Sequence, residues 1–180
     1  MISLPWSLIL TAAFAFTGFV CLIHVLRHWN ETRSPTCPDV GAARMDLVVH
    51  SNHLVMSIGM IAMVWVSTGT IATWGQVAFF AALTVVMIIG AIGLGGRTPR
   101  ISLVSHIVLN AAMVWMLLAM PLLMAQTPDW ATAVNWVAIV LSVLAAVWWL
   151  FLLVRSRRIG IHTLCHAVMG LGMTGMLALM

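Results

Sequence analysis

Apolar residues fill this chain in six long runs, at about 3–26, 46–68, 72–95, 101–124, 131–154 and 159–180. About 20 such residues carry a helix across the hydrocarbon of a bilayer, so each run predicts one transmembrane helix. The breaks are a polar stretch over 27–45, a short turn at Gly69, and Gly95-Gly96-Arg97-Thr98-Pro99-Arg100. Gln126-Thr127-Pro128-Asp129 and Arg155-Ser156-Arg157-Arg158 supply the last two. Glycine, proline and charge punctuate the boundaries. The first run has neither a basic segment before it nor a small-x-small cleavage site after it, so it predicts a retained helix rather than a removable signal peptide. The expected fold is all-α: one polytopic transmembrane domain over 1–180, its six helices paired as three hairpins.

Within the even-numbered runs a second pattern repeats. His53, Met56, Met60 and Met63 follow the frame H-x2-M-x3-M-x2-M, and His166, Met169, Met173 and Met176 follow it again. His106, Met113 and Met116 follow it a third time, with Leu109 in place of the first methionine. A helix turns ~100° per residue, so these offsets stay on one narrow stripe. Three helices therefore predict three walls of one core, each with an imidazole followed by a ladder of thioethers, and a threefold internal pseudo-repeat. Gly59, Gly170 and Gly175 are expected to let these helices approach closely.

Composition fits a bilayer. The chain is 63% hydrophobic and only 7% charged, against roughly a quarter charged in soluble domains. The net charge of +4 comes with eight arginines, no lysine and no basic-aromatic patch, so no nucleic-acid surface is expected. Arg27, Arg33 and Arg44 lie in the first connection, Arg97 and Arg100 in the third, and Arg155, Arg157 and Arg158 in the fifth. By the positive-inside rule these loops are cytoplasmic in a bacterial plasma membrane and both termini lie outside. Trp6, Trp74 and Trp130 then fall near the outer interface. Cys21, Cys37 and Cys165 are too few and scattered for a disulfide framework.

Ionisable groups inside a membrane are costly and mark ligands or pathways. All seven histidines fall in the half nearest the arginine-bearing loops. His53, His106 and His166 share one depth and predict one metal site. His50 and His162 stand one turn shallower, and His24 joins them from the first helix beside Cys21 and His28. Asp46, four residues before His50, is expected to orient an imidazole through its second nitrogen. Met56, Met60, Met113, Met169 and Met173 continue the ligand set outward. Imidazole with thioether is a donor set for a soft ion, Cu(I) above all. Weak sites in series let an ion enter and leave. Methionine also fills apolar cores, so the ladders stand between ligand and packing.

Other chemistries fit parts of the pattern. His162-x3-His166 with His50, Asp46 and a serine among Ser51, Ser102 and Ser105 is compatible with an intramembrane zinc hydrolase. That scheme gives the methionines no role and lacks an intramembrane carboxylate as base. Facing histidines could instead ligate haem b in an electron-transfer subunit, or the chain could be a non-catalytic subunit of a larger membrane complex. Cys165, beside His166, is a further soft donor or a small buried hydrophobe. No Walker, Rossmann, nucleophile-elbow or CxxC pattern appears, and binding is favoured over catalysis.

From Met45-Asp46 through His53-Leu54-Val55-Met56, and over most of its length, the sequence resembles a group of actinobacterial multi-spanning proteins classed as a domain of unknown function. An arginine-only basic set also points to a GC-rich genome. The resemblance implies an actinobacterial plasma membrane and no particular activity. The His- and Met-lined helices are also similar to those of copper-handling membrane proteins. This sequence shows no soluble copper domain, Cys-Pro-Cys motif or ATP-driving domain, so pumping by this chain alone is not implied. The expected function is to transport Cu(I) or deliver it to a membrane cuproenzyme. The bilayer is the expected surrounding, and a membrane protein or a second copy of the chain the expected partner.

Overall fold

The computed structural model describes residues 4–33, 40–65, 70–93, 97–125, 128–155 and 160–179, without the side chains of 42, 70, 93, 97–102, 120–125 and 162. Six α-helices make up almost all of this: α1 (Leu4–Thr32), α2 (Val40–Trp65), α3 (Thr70–Gly93), α4 (Arg97–Ala125), α5 (Asp129–Arg155) and α6 (Ile161–Ala178). Each apolar run holds one helix. The largest departures flank the first connection: α2 begins at Val40, ahead of its run, and α1 continues past its own through polar residues. There Glu31 accepts from Arg27 Nε at 2.9 Å and meets His28 Nδ1 at 2.8 Å. Pairs three and four residues apart share a helix face and support it. Thr32 Oγ1 also bonds to the Trp29 carbonyl at 2.9 Å.

The closest packing joins α1 to α2, α3 to α4 and α5 to α6. Further contacts join α4 to α5, α1 to α6, α2 to α3 and α4 to α6. Chain neighbours thus close a ring, and the even helices turn their His-Met stripes to its axis. Met56, Met60, Met113, Met116, Met169 and Met173 are wholly buried in one core cluster, with Leu10 and Phe14 of α1, Phe80 of α3 and Ala138 and Ala145 of α5 around them. The outward faces of the odd helices are apolar and exposed, as at Phe19, Ile89 and Leu144. Such broad apolar surface is suited to lipid.

Lipid tails are as apolar as leucine, so helices in a membrane hold together by close packing and buried polar contacts. The inner face of α5 is small accordingly, with Ala131, Ala138, Ser142, Ala145 and Ala146 buried. Against it, a Cβ at Gly170 would stand 3.0 Å from Ala146 Cβ and 3.2 Å from its Cα, so only glycine allows this approach of α6.

Among the described residues, Leu4–Thr32, Ala43–Trp65, Ile71–Ile92 and Asp129–Arg155 are long and apolar enough to cross a membrane. The expectation of six such runs is met in four. In α4 and α6 the side chains are described continuously over Leu103–Ala119 and from Thr163 on, so the expected runs 101–124 and 159–180 lie partly outside the described residues. Ser105, His106, Asn110 and His166 of these axial helices are buried, shielded by neighbouring helices. Four spanning helices are enough to mark a membrane protein.

Candidate metal centre

One imidazole each from α2, α4 and α6 meets at the axis. The ring centroids of His53, His106 and His166 are separated by 4.8, 4.5 and 4.7 Å, close to an equilateral triangle. One ring nitrogen from each falls within 4.8 Å of the others, and the three residues are only 1–2% exposed. Imidazole nitrogens bind zinc-like ions at about 2.0–2.1 Å, so modest ring rotations would bring all three onto one ion. His166 Nδ1 and His53 Nε2 are 2.8 Å apart and share a hydrogen bond, one donating and the other accepting according to tautomer.

Trp149 of α5 closes one side of this triangle. Its ring stacks on His166 at 4.4 Å and 30° and meets His106 edge-on at 5.8 Å. The indole Nε1 donates to Ser105 Oγ at 3.1 Å, anchoring the stacked ring one residue from His106. Packing and hydrogen bonding thus fix the orientation of the imidazoles.

Beyond the triangle the stripes give successive layers at matching offsets: Met56, Leu109 and Met169; then Met60, Met113 and Met173; then Met63, Met116 and Met176. The middle layer is 0% exposed. Its three side chains are closed to water, so a hydrated ion has no way past them. A desolvated soft ion could move only by exchanging one thioether for the next. Met87 of α3 lies off these stripes, accepting from Asn110 Nδ2 at 3.4 Å.

A second cluster lies on the arginine-bearing side. His24 and His28 of α1 and His50 of α2 have ring nitrogens within 4.8 Å of one another, and centroids 4.9 Å (His24–His50) and 5.3 Å (His28–His50) apart. His50 is buried and the α1 histidines are part-exposed. His50 Nδ1 lies 2.6 Å from the backbone carbonyl of Asp46.

The structure places the described candidate histidines in two groups. His53, His106 and His166 converge. His24 and His50 join His28 in a separate group. The side chain of His162 lies outside those described. Asp46 meets His50 through its carbonyl oxygen, and its side chain is exposed. Cys165, beside His166, is a buried free thiol, as is Cys21. No Asp or Glu belongs to the inner group among the described residues. Trp149 carries no sequence signal, because the Trp148-Trp149 pair near the end of an apolar run looks like an interfacial anchor. His28 was within reach, four residues after His24 on one helix face.

Residues 45–180 match the model of a family described as a domain of unknown function, DUF5134. The match takes in all of the inner triangle and the methionine layers. No curated protein and no solved structure matches the chain.

Proposed function

The chain belongs to the DUF5134 family, and we propose that it is a membrane metal-handling protein that binds Cu(I) at His53, His106 and His166. The observation that carries the proposal is the meeting of three buried imidazoles at the foot of a buried thioether column. Neutral nitrogen and sulfur donors select a soft ion. Charge supports the same choice. The Born cost of burying an ion grows with the square of its charge, so a divalent ion in this neutral group faces roughly four times the desolvation penalty of a monovalent one.

The ion exchanges between the imidazoles and the thioethers of Met56 and Met169, then along the layers of Met60, Met113 and Met173. This serves transport across the bilayer or hand-over to a membrane cuproenzyme. Positive-inside asymmetry puts the imidazole end towards the cytoplasm of a plasma membrane. Geometry gives the alternatives less support. A haem macrocycle needs an open slot between its axial ligands, whereas these rings are in mutual contact. A zinc hydrolase needs a base, and the inner group is histidine alone.

The test is elemental analysis of the purified protein after loading with Cu(I) under reducing conditions. Wild type is expected to retain copper, and H53A/H106A/H166A, checked for helicity by circular dichroism, to hold about one ion fewer per chain. An H53Q/H106Q/H166Q variant repeats the test with polar side chains if the alanine variant misfolds. Copper-free wild type, or unchanged copper in a folded triple variant, overturns the proposal. Zinc in the wild type with amide or ester hydrolysis, or a Soret band, would do so in favour of the alternatives.

A further inference from the structure

We infer that His24, His28 and His50 form a second metal site, one for a divalent, nitrogen-preferring cation of the Zn2+ or Cu2+ kind. Three features separate it from the inner triangle. The first is tautomer control. His28 Nδ1 lies 2.8 Å from Glu31 Oε2, and His50 Nδ1 lies 2.6 Å from the Asp46 carbonyl oxygen. An ionised carboxylate and a carbonyl only accept, so in the neutral form of each ring Nδ1 carries the hydrogen and Nε2 the lone pair. Oxygen acceptors behind ligand imidazoles are the usual outer shell of histidine metal sites, where they fix the ring and raise its basicity.

Access is the second feature. The side chains of His28 and Glu31 are 18% and 41% exposed, so a hydrated ion can arrive and keep water in a fourth position. Charge is the third. Glu31 stands directly behind His28 and supplies negative charge that the inner group lacks, although Arg27 holds its other oxygen at 2.9 Å. Three imidazoles with a nearby carboxylate and water suit a borderline divalent ion. α2 carries a ligand of each site, His50 and His53, within one turn.

The experiment is Zn2+ titration of the full-length protein in detergent by isothermal calorimetry, with Cu2+ electron paramagnetic resonance as a second probe. H53A/H106A/H166A should keep the Zn2+ site and its nitrogen-coordinated Cu2+ spectrum. H24A/H28A should weaken Zn2+ binding by at least about 100-fold, and E31Q by on the order of tenfold. H24Q/H28Q, which keeps polar side chains, is the control if the alanine variant loses helicity. Zn2+ binding that survives H24A/H28A or H24Q/H28Q in folded protein overturns the assignment, as does binding lost in the inner triple variant. The two sets share no residue, so failure here is distinguishable from failure of the Cu(I) proposal.

Discussion

Replacing Met60, Met113 and Met173 together with leucine separates a thioether path from a packed core. All three are 0% exposed, and all stand seven residues beyond a histidine of the triangle. Leucine keeps volume and apolarity and removes only the sulfur. Such swaps cost below about 1.5 kcal/mol each, so the layer loses at most about 4.5 kcal/mol if the costs add. Neighbours within one layer need not add, and the true figure can be smaller. Alanine would be a poor probe: at about 2–5 kcal/mol per site, three cavities remove about 6–15 kcal/mol, comparable to a whole domain's stability. The assay is Cu(I) capacity in detergent, by competition with a chromogenic chelator, alongside copper exchange in liposomes and the thermal midpoint. The leucine variant should stay folded, bind about one ion fewer per chain, since three thioethers make one trigonal soft site, and exchange copper more slowly. A folded variant with wild-type capacity and exchange would refute the path and leave these methionines as packing.

Two further outcomes follow from the same geometry. Neutral imidazole binds metal and its protonated form does not. Copper should therefore be held at mildly alkaline pH and released on acidification, as equilibrium dialysis at stepped pH would show; retention unchanged at about pH 5 would argue against imidazole ligands. Trp149→Phe keeps a ring over His166 and removes the hydrogen bond to Ser105 Oγ, a loss of about 1 kcal/mol. Trp149→Ala leaves a cavity costing about 3–5 kcal/mol. Thermal unfolding with copper retention should show a small change in the first and a large one in the second; equal stability of Trp149→Ala and wild type would show that Trp149 does not hold the triangle in place.

Much of the architecture was legible because the bilayer imposes a length and the helix a period. Apolar runs located six helices, and recurring offsets behind His53, His106 and His166 marked the faces that meet. The division of the histidines was not legible. Periodicity gives a residue's face on its own helix but not which neighbour that face meets. Three residues turn a helix by ~300°, so His50 points some 60° away from His53, and only the packing of α1 on α2 shows that His24 and His28 lie there. The end of α1 was hidden because apolar counting stops where the charges of Arg27 and Glu31 begin, although their pairing carries the helix onward. Asp46 acts on His50 through a carbonyl that any residue at that position would offer.

The pairing of odd and even helices also bears on how the chain is made. α4 and α6, the less apolar member of each pair, each emerge from the ribosome directly behind a more apolar helix, α3 or α5, that is also the neighbour they pack against most. A partner able to enter the bilayer unaided is therefore in place when each weaker helix leaves the insertion machinery. Synthesis order itself shelters the imidazole-bearing helices, and moving α4 or α6 away from its predecessor in the gene would strand a histidine in lipid before the ring could close around it.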